Sequence, residues 1–170
     1  MIFKFLSKNF YINFSIVALI YFLDRLSKIY VIQLNKNNLG TDIFNSTYLN
    51  IVLIWNKGIA FGLLSFNESY LYNIISLIIA IIIIVLVIMS LKSQGFKRYS
   101  LLMIVGGALG NLHDRIFFSA VPDFIDFHVE NFHWFIFNVA DIFITLGVIS
   151  MIVLELLDNK IKKQNNDKKY

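Results

Sequence analysis

The stretch YNIISLIIAIIIIVLVIMSL, residues 72–91, decides the fold class. It carries no charged residue, and about 20 mostly apolar residues suffice to cross a hydrocarbon core ~30 Å thick. Lipid offers no partner for backbone N–H and C=O groups, so an isolated apolar run of this length must be a helix. Composition agrees. Hydrophobic residues make up 58% of the 170 positions, against roughly 45–50% in average soluble domains, and the mean hydropathy is +0.70. A chain of this length accommodates one domain, so residues 1–170 read as a single integral membrane domain. Cysteine is absent, which excludes disulfides, thiolate metal sites and a cysteine nucleophile.

Three more segments qualify as spans on either side of this one: 10–34, which contains Asp24, Arg25 and Lys28; 99–118; and 134–154, which contains Asp141. The predicted fold is an all-α membrane protein, a four-transmembrane-helix bundle. Lys4 and Lys8 before the first apolar run imitate a signal peptide, but no small-x-small cleavage site follows and the run continues into FLDRLSK, so a retained span is expected. Of the fifteen basic residues, ten (Lys4, Lys8, Lys92, Lys97, Arg98, Lys160, Lys162, Lys163, Lys168 and Lys169) fall on one side if both termini are cytoplasmic. The 119–133 loop has no Lys or Arg and carries Asp123, Asp126 and Glu130, so it faces outward with the 35–71 connection. Within that connection, YLNIVLIWNKGIAFGLL is rich in β-branched and aromatic residues around an Asn-Lys-Gly turn signal, and predicts short strands at the outer membrane surface.

Ionisable residues inside spans are costly and mark function by default. At ~1.5 Å rise per residue, Asp114 lies about 6 Å, Asp141 about 10 Å and Asp24 about 15 Å from the outer ends of their spans. Three helices thus bring carboxylates to the outer half of the membrane. Asn111, Asp114 and Arg115 stand at i, i+3 and i+4, Asn138 and Asp141 at i and i+3, and Asp24 and Lys28 at i and i+4, so each set shares a helix face. Gly106 and Gly110 form a small-xxx-small face suited to close helix contact. Asp114 with Arg115, and Asp24 with Lys28, read first as structural pairs. Asp141, with no cation along its own helix, is the stronger functional candidate.

Among possible chemistries, Ser119, His113 and Asp114 do not form a triad spacing. His128 and His133 with Asp123 and Asp126 could suggest a metallopeptidase, but no H-E-x-x-H helix accompanies them. A carboxylate pair sharing one proton remains. Spacing leaves Asp114, Asp123 and Asp126 all open as the partner of Asp141. A competing class is a small proton-coupled transporter or scaffold using Asp24, Asp114 and Asp141, which the lack of polar groups in the inner half and of any internal repeat disfavours.

The blocks DRLSK (24–28), WNKGIAFG (55–62), GGALGNLHDR (106–115), VPDF (121–124) and FNVADIFI (137–144) occur in this order. Together they resemble the five blocks of lipoprotein signal peptidase (signal peptidase II), and the resemblance spans nearly the whole chain. It implies an aspartyl endopeptidase of the bacterial inner membrane, with both termini cytoplasmic and the active site toward the outer face. Such an enzyme cleaves the signal peptide from diacylglyceryl-modified prolipoproteins just before the lipidated cysteine. The resemblance implies no metal or cofactor, no nucleic acid, membrane lipids as surroundings, inhibition by globomycin-type cyclic peptides, and action as a monomer. It places the catalytic dyad on Asp123 and Asp141. Asn111, Asp114, Arg115 and Asn138 match residues that surround the dyad and hold substrate backbone; Asn56 and Gly58, with Ala60 and Phe61, match the block that clasps substrate; Asp24 and Lys28 match structural polar positions. Arg25, His113, Pro122 and the IFI after Asp141 depart from the common pattern without removing a motif Asp or Asn.

Overall fold

The computed structural model describes residues 8–37, 43–58, 69–130 and 132–167. Eight elements follow in order: α1 (Lys8–Asn37), β1 (Phe44–Asn45), β2 (Leu49–Asn56), α2 (Ser69–Lys92), α3 (Gly95–Phe118), β3 (Val121–Val129), β4 (Phe132–Phe137) and α4 (Val139–Asp167). Three stretches among the described residues, Tyr72–Lys92, Gly95–Phe118 and Val139–Ile161, are helices long and apolar enough to cross a membrane. α1 has the length, at 30 residues, but is not one of the three; it carries Asp24, Arg25 and Lys28 in its interior.

α3 is the hub, packing against α1, α2 and α4. Its glycines make this possible. A Cβ on Gly106 would lie 2.9 Å from Ile20 of α1, one on Gly110 would strike the Asp24 carboxylate, and one on Gly107 would lie 2.5 Å from the Ala140 carbonyl oxygen and 2.8 Å from Ile144 of α4. The small-residue face therefore serves two neighbours, with Gly106 and Gly110 turned to α1 and Gly107 to α4. Between lipid-like surfaces such close backbone approach replaces the hydrophobic drive that joins helices in water. α2, by contrast, leaves Leu77, Ile78, Ile81, Ile82 and Ile84 exposed, as a helix facing hydrocarbon does.

The four strands form one antiparallel sheet in the order β1-β2-β3-β4. The strands expected in the 35–71 connection are β1 and β2; Ala60 and Phe61 lie outside the described residues. The 119–133 segment, expected as a loop, is largely strand β3. The fourth helix begins at Val139, not at 134, because FHWFIF (132–137) pairs as β4. Apolar, aromatic and β-branched residues suit a pleated surface as well as a lipid-facing helix, so hydropathy alone merges β4 into the span. Asp141 consequently sits in the first turn of α4 and not about 10 Å inside it. α3 starts at Gly95, four residues before the expected boundary, and ends at Phe118; its C-cap Ser119, with a φ of 52°, turns the chain into β3. Pro122 pairs only with β2, opposite Trp55, ahead of the point where β4 joins β3 at Ile125; its missing N–H therefore breaks no ladder bond to β4.

Gly107→Ala is expected to lower the thermal midpoint of the purified protein in detergent, by an overpacking penalty of about 1–3 kcal/mol. Ile84→Ala, on the exposed face of α2, is the matched control and should move it little.

Candidate active site

α4 begins with a reciprocal cap. The Asn138 side-chain oxygen accepts the Asp141 backbone N–H at 3.1 Å, while Asp141 Oδ2 accepts the Asn138 backbone N–H at 3.2 Å. This is a capping box, in which the residue before the helix and the third residue inside it satisfy each other's free N–H groups. It fixes the Asp141 carboxylate at the helix N-terminus, where the macrodipole favours negative charge.

A second buried carboxylate comes from the sheet. β3 leaves the αL turn at Ser119 and presents Asp123 to the same cap: Asn138 Nδ2 donates to Asp123 Oδ1 at 2.6 Å, and Asn56 Nδ2, from the end of β2, donates to Asp123 Oδ2 at 2.8 Å. Asn56 also uses its oxygen to accept the Gly58 N–H at 2.8 Å, which shapes the chain leaving β2. Asn138 therefore touches both carboxylates. Asp123 and Asp141 are 3% and 8% exposed, and among the described residues neither forms an ion pair. Burial, and next the negative charge of Asp141, push the Asp123 carboxyl up to about 6, against the opposing pull of its Asn56 and Asn138 hydrogen bonds.

Asn111 connects this pair to a buried charge network. Its Nδ2 donates to Asp141 Oδ1 at 2.8 Å, and its Oδ1 accepts from Lys28 Nζ at 2.8 Å. Lys28 Nζ also donates to Asp24 Oδ2 at 2.9 Å and Asp114 Oδ2 at 2.7 Å, so all three of its protons are placed. Lys28, Asp24 and Asp114 are fully buried. Arg25 closes the set with an ion pair of 2.6 Å to Asp114 Oδ1. Asp24 Oδ1 accepts the backbone N–H of Ala140 at 3.0 Å, tying α1 to the first turn of α4.

The partners of Asp114 differ from those the sequence suggests. Arg25 and Lys28 neutralise it, not Arg115, because adjacent residues on a helix do not face each other. Arg115 instead donates to the Gly58 and Asn111 carbonyl oxygens, each at 3.3 Å. The signal for Arg25 lies in its i, i+3 spacing to Lys28, which gives both cations one face. Asp126 meets His133 at 2.8 Å. His113 sits at the α1–α3 boundary against Tyr21, whose hydroxyl is 2.8 Å from its Nδ1. Asp24, Asp114, Lys28 and Arg25 form a charge-balanced lock of two acids and two bases.

Two largely apolar cavities flank the carboxylates. One of about 510 Å³ lies between α2, α3 and α4 and includes Ile83, Leu86, Ala108, Asn111 and Asp141. The other, about 610 Å³, lies between α4 and the β3–β4 hairpin and reaches Asp141 past Phe127 and Phe137.

Residues 16–157 match the family model described as signal peptidase (SPase) II. The chain belongs to the signal peptidase II family. It is 49% identical over 161 residues to the lipoprotein signal peptidase of Pelagibacter ubique (strain HTCC1062), covering 95% of this chain and 96% of that one. The lipoprotein signal peptidase of Anaplasma phagocytophilum (strain HZ) is 43% identical over 138 residues, 79% of this chain and 85% of its own. Its fold resembles that of a bacterial membrane enzyme solved by the in meso method at 2.3 Å resolution, with a TM-score of 0.72 at 30% identity over 88% of this chain and 90% of that one. Membership makes the chain a protease, and the polar cluster at the junction of sheet and bundle is where this family member concentrates its buried titratable groups.

Removing one charge from the lock strands the others. Lys28→Met is expected to destabilise the protein by about 3–5 kcal/mol, the range for breaking a buried pair, read as a lowered thermal midpoint. Adding Asp114→Asn to Lys28→Met should recover part of that loss, since it removes an uncompensated carboxylate.

Proposed function

We propose that the chain is an aspartyl endopeptidase of the bacterial inner membrane. It would cleave signal peptides from diacylglyceryl-modified prolipoproteins just before the lipidated cysteine, with Asp123 and Asp141 as the reacting pair. The observation that carries this reading is the convergence of two buried carboxylates, from β3 and α4, on one residue, Asn138, whose side-chain Nδ2 donates to Asp123 and whose backbone N–H donates to Asp141. The relatives from Pelagibacter ubique and Anaplasma phagocytophilum are lipoprotein signal peptidases, which supports the substrate class.

Two nearby buried carboxylates cannot both ionise cheaply, so the pair shares a proton and titrates as a unit. The α4 N-terminus suits the ionised member to Asp141, and burial beside that charge suits the proton to Asp123. In the first step Asp141 accepts a proton from water as the water oxygen attacks the scissile carbonyl carbon. Asp123 hydrogen-bonds the carbonyl oxygen and transfers its proton as the tetrahedral intermediate forms. Collapse returns that proton to Asp123, breaks the C–N bond, and passes the Asp141 proton to the leaving amine. Asn111 and Asn138 orient Asp141 throughout, while Asn56 and Asn138 hold Asp123. Arg115, anchored to the Gly58 carbonyl, holds the chain after β2 where it can clasp extended substrate. The 510 Å³ cavity opens along α2 and offers apolar surface for acyl chains or the signal helix beside the carboxylates.

We also infer that α1 is the fourth crossing of a single-domain bundle. Its mid-helix charges Asp24, Arg25 and Lys28 are buried, whereas Phe14, Leu19, Phe22, Leu23 and Leu26 remain exposed, as on a lipid-facing surface. The site is complete within one chain, which suits a monomer.

Asp123→Asn and Asp141→Asn are each expected to reduce cleavage of a diacylglyceryl-modified precursor by at least about 10³-fold, within the range of lost acid–base catalysis, while the variants stay folded. Globomycin should block the wild type. Wild-type-like turnover by either variant would overturn the mechanism. With Asp123 titrating at about 6, kcat/KM should fall as pH rises through that value and the pair loses its shared proton. A profile flat from pH 5 to 8, a range set about one unit or more on either side of that midpoint, would contradict it.

Orientation has its own test, aided by the absence of cysteine. A membrane-impermeant maleimide should label Glu130→Cys in intact spheroplasts, but Gln94→Cys only after permeabilisation.

A further inference from the structure

The outer part of the β3–β4 hairpin carries a second polar cluster, separate from the paired aspartates. His128 and His133 are direct cross-strand partners, and their rings stack with centroids 5.0 Å apart and planes at 19°. Asp126, 3% exposed, lies two residues before His128 on the same face of β3. Its Oδ2 is 2.8 Å from His133 Nδ1. The register shift between Asp126 and His128 sets Trp134 and Phe135 against Phe127 alone. Such a bulge bends the strand and re-aims its side chains, which brings His133 diagonally onto Asp126. One donor atom from each of the three residues falls within 4.8 Å of the others.

Two atoms of these residues are unexplained by the protein. Asp126 Oδ1 and His128 Nδ1 are buried and have no hydrogen-bond partner among the described residues. Buried polar atoms without partners are uncommon in native proteins and call for a specific explanation. A cation explains both, since it takes a carboxylate oxygen and a neutral imidazole nitrogen as ligands.

We propose that Asp126, His128 and His133 bind a divalent transition metal ion of the Zn2+ type. Two imidazoles and one carboxylate suit Zn2+ and its neighbours, whereas Mg2+ and Ca2+ select oxygen ligands. Three protein ligands leave a fourth position for water. The ion would take no part in peptide cleavage. Side chains alternate along a strand, so Asp123 and Asp126 lie on opposite faces of β3, about 10 Å apart along it. Its effect is mechanical. It staples β3 to β4 across the bulge and stiffens the hairpin wall of the 610 Å³ cavity, where Phe127, Val129, Trp134 and Phe135 lie.

The test uses tag-free full-length protein in detergent, stripped with chelator and titrated with Zn2+ alone against a chromophoric competitor. One ion per chain is expected, with affinity at least about 10-fold weaker in His128→Ala and in His133→Ala, the lower bound seen when even supporting groups of a metal site are lost. His133 is half exposed, so its truncation leaves the fold intact, and Asp126→Asn is not needed. Zn2+ should raise the thermal midpoint of the wild type and not of His133→Ala. Co2+ in place of Zn2+ should give the visible absorption of a tetrahedral centre. Absence of stoichiometric binding, or binding that both histidine variants retain in full, overturns the proposal.

Discussion

A fully buried ammonium organises this protein. Lys28 has its three protons on Asp24, Asn111 and Asp114, and Arg25 balances the remaining negative charge. An ion moved from water into a low-dielectric interior loses several kcal/mol even after relaxation, so the arrangement survives only because every charge has an opposite within reach. The requirement is geometric. α1 must lie against α3 closely enough for Lys28 to reach Asn111 and Asp114, and that distance is available because Gly106 and Gly110 carry no side chain.

From this lock the position of the proposed reacting pair follows. Asp24 spends one oxygen on Lys28 and the other on the backbone N–H of Ala140, so the network grips α4 at its first turn. Asn111 spends its oxygen on Lys28 and its amide on Asp141. Asp141 is thus held from α3 on one side and by its own capping box on the other. The sheet supplies the second carboxylate by a different route, through the pairing of β3 with β2 that sets Asn56 beside Asp123. Bundle and sheet meet at Asn138, the junction between β4 and α4.

The apolar helices are legible in the sequence because lipid imposes a length and a composition that nothing else in the chain mimics. Legibility fails where two solvents share one vocabulary. FHWFIF serves β4 at the interface but reads as the start of a span. The NVAD cap is present in the sequence as an N-x-x-D spacing, yet an i, i+3 pair looks the same whether it opens a helix or lies within one. Which carboxylate is brought beside Asp141 is decided by long-range contacts. Asp114, Asp123 and Asp126 differ in ways that depend on which cations and amides the fold brings to each, and local periodicity carries no such information. Lys28 and Arg25 claim Asp114, His133 meets Asp126, and only Asp123 is left with neutral partners.

That neutrality is the physical point of the site. A Lys or Arg placed directly on Asp123 or Asp141 would favour both carboxylates in the ionised form and remove the proton that a pair must share. Amides orient a carboxylate without taking its proton away. Asn56, Asn111 and Asn138 contact the two acids, while the nearest cation of the lock, Lys28, stands one residue back behind Asn111. Its field acts on Asp123 less than burial, the Asp141 charge and the Asn56 and Asn138 hydrogen bonds do. The membrane bundle can therefore hold a strongly charged core for its own cohesion and still keep, beside it, two acids held by neutral amides, as the proposed exchange of one proton requires.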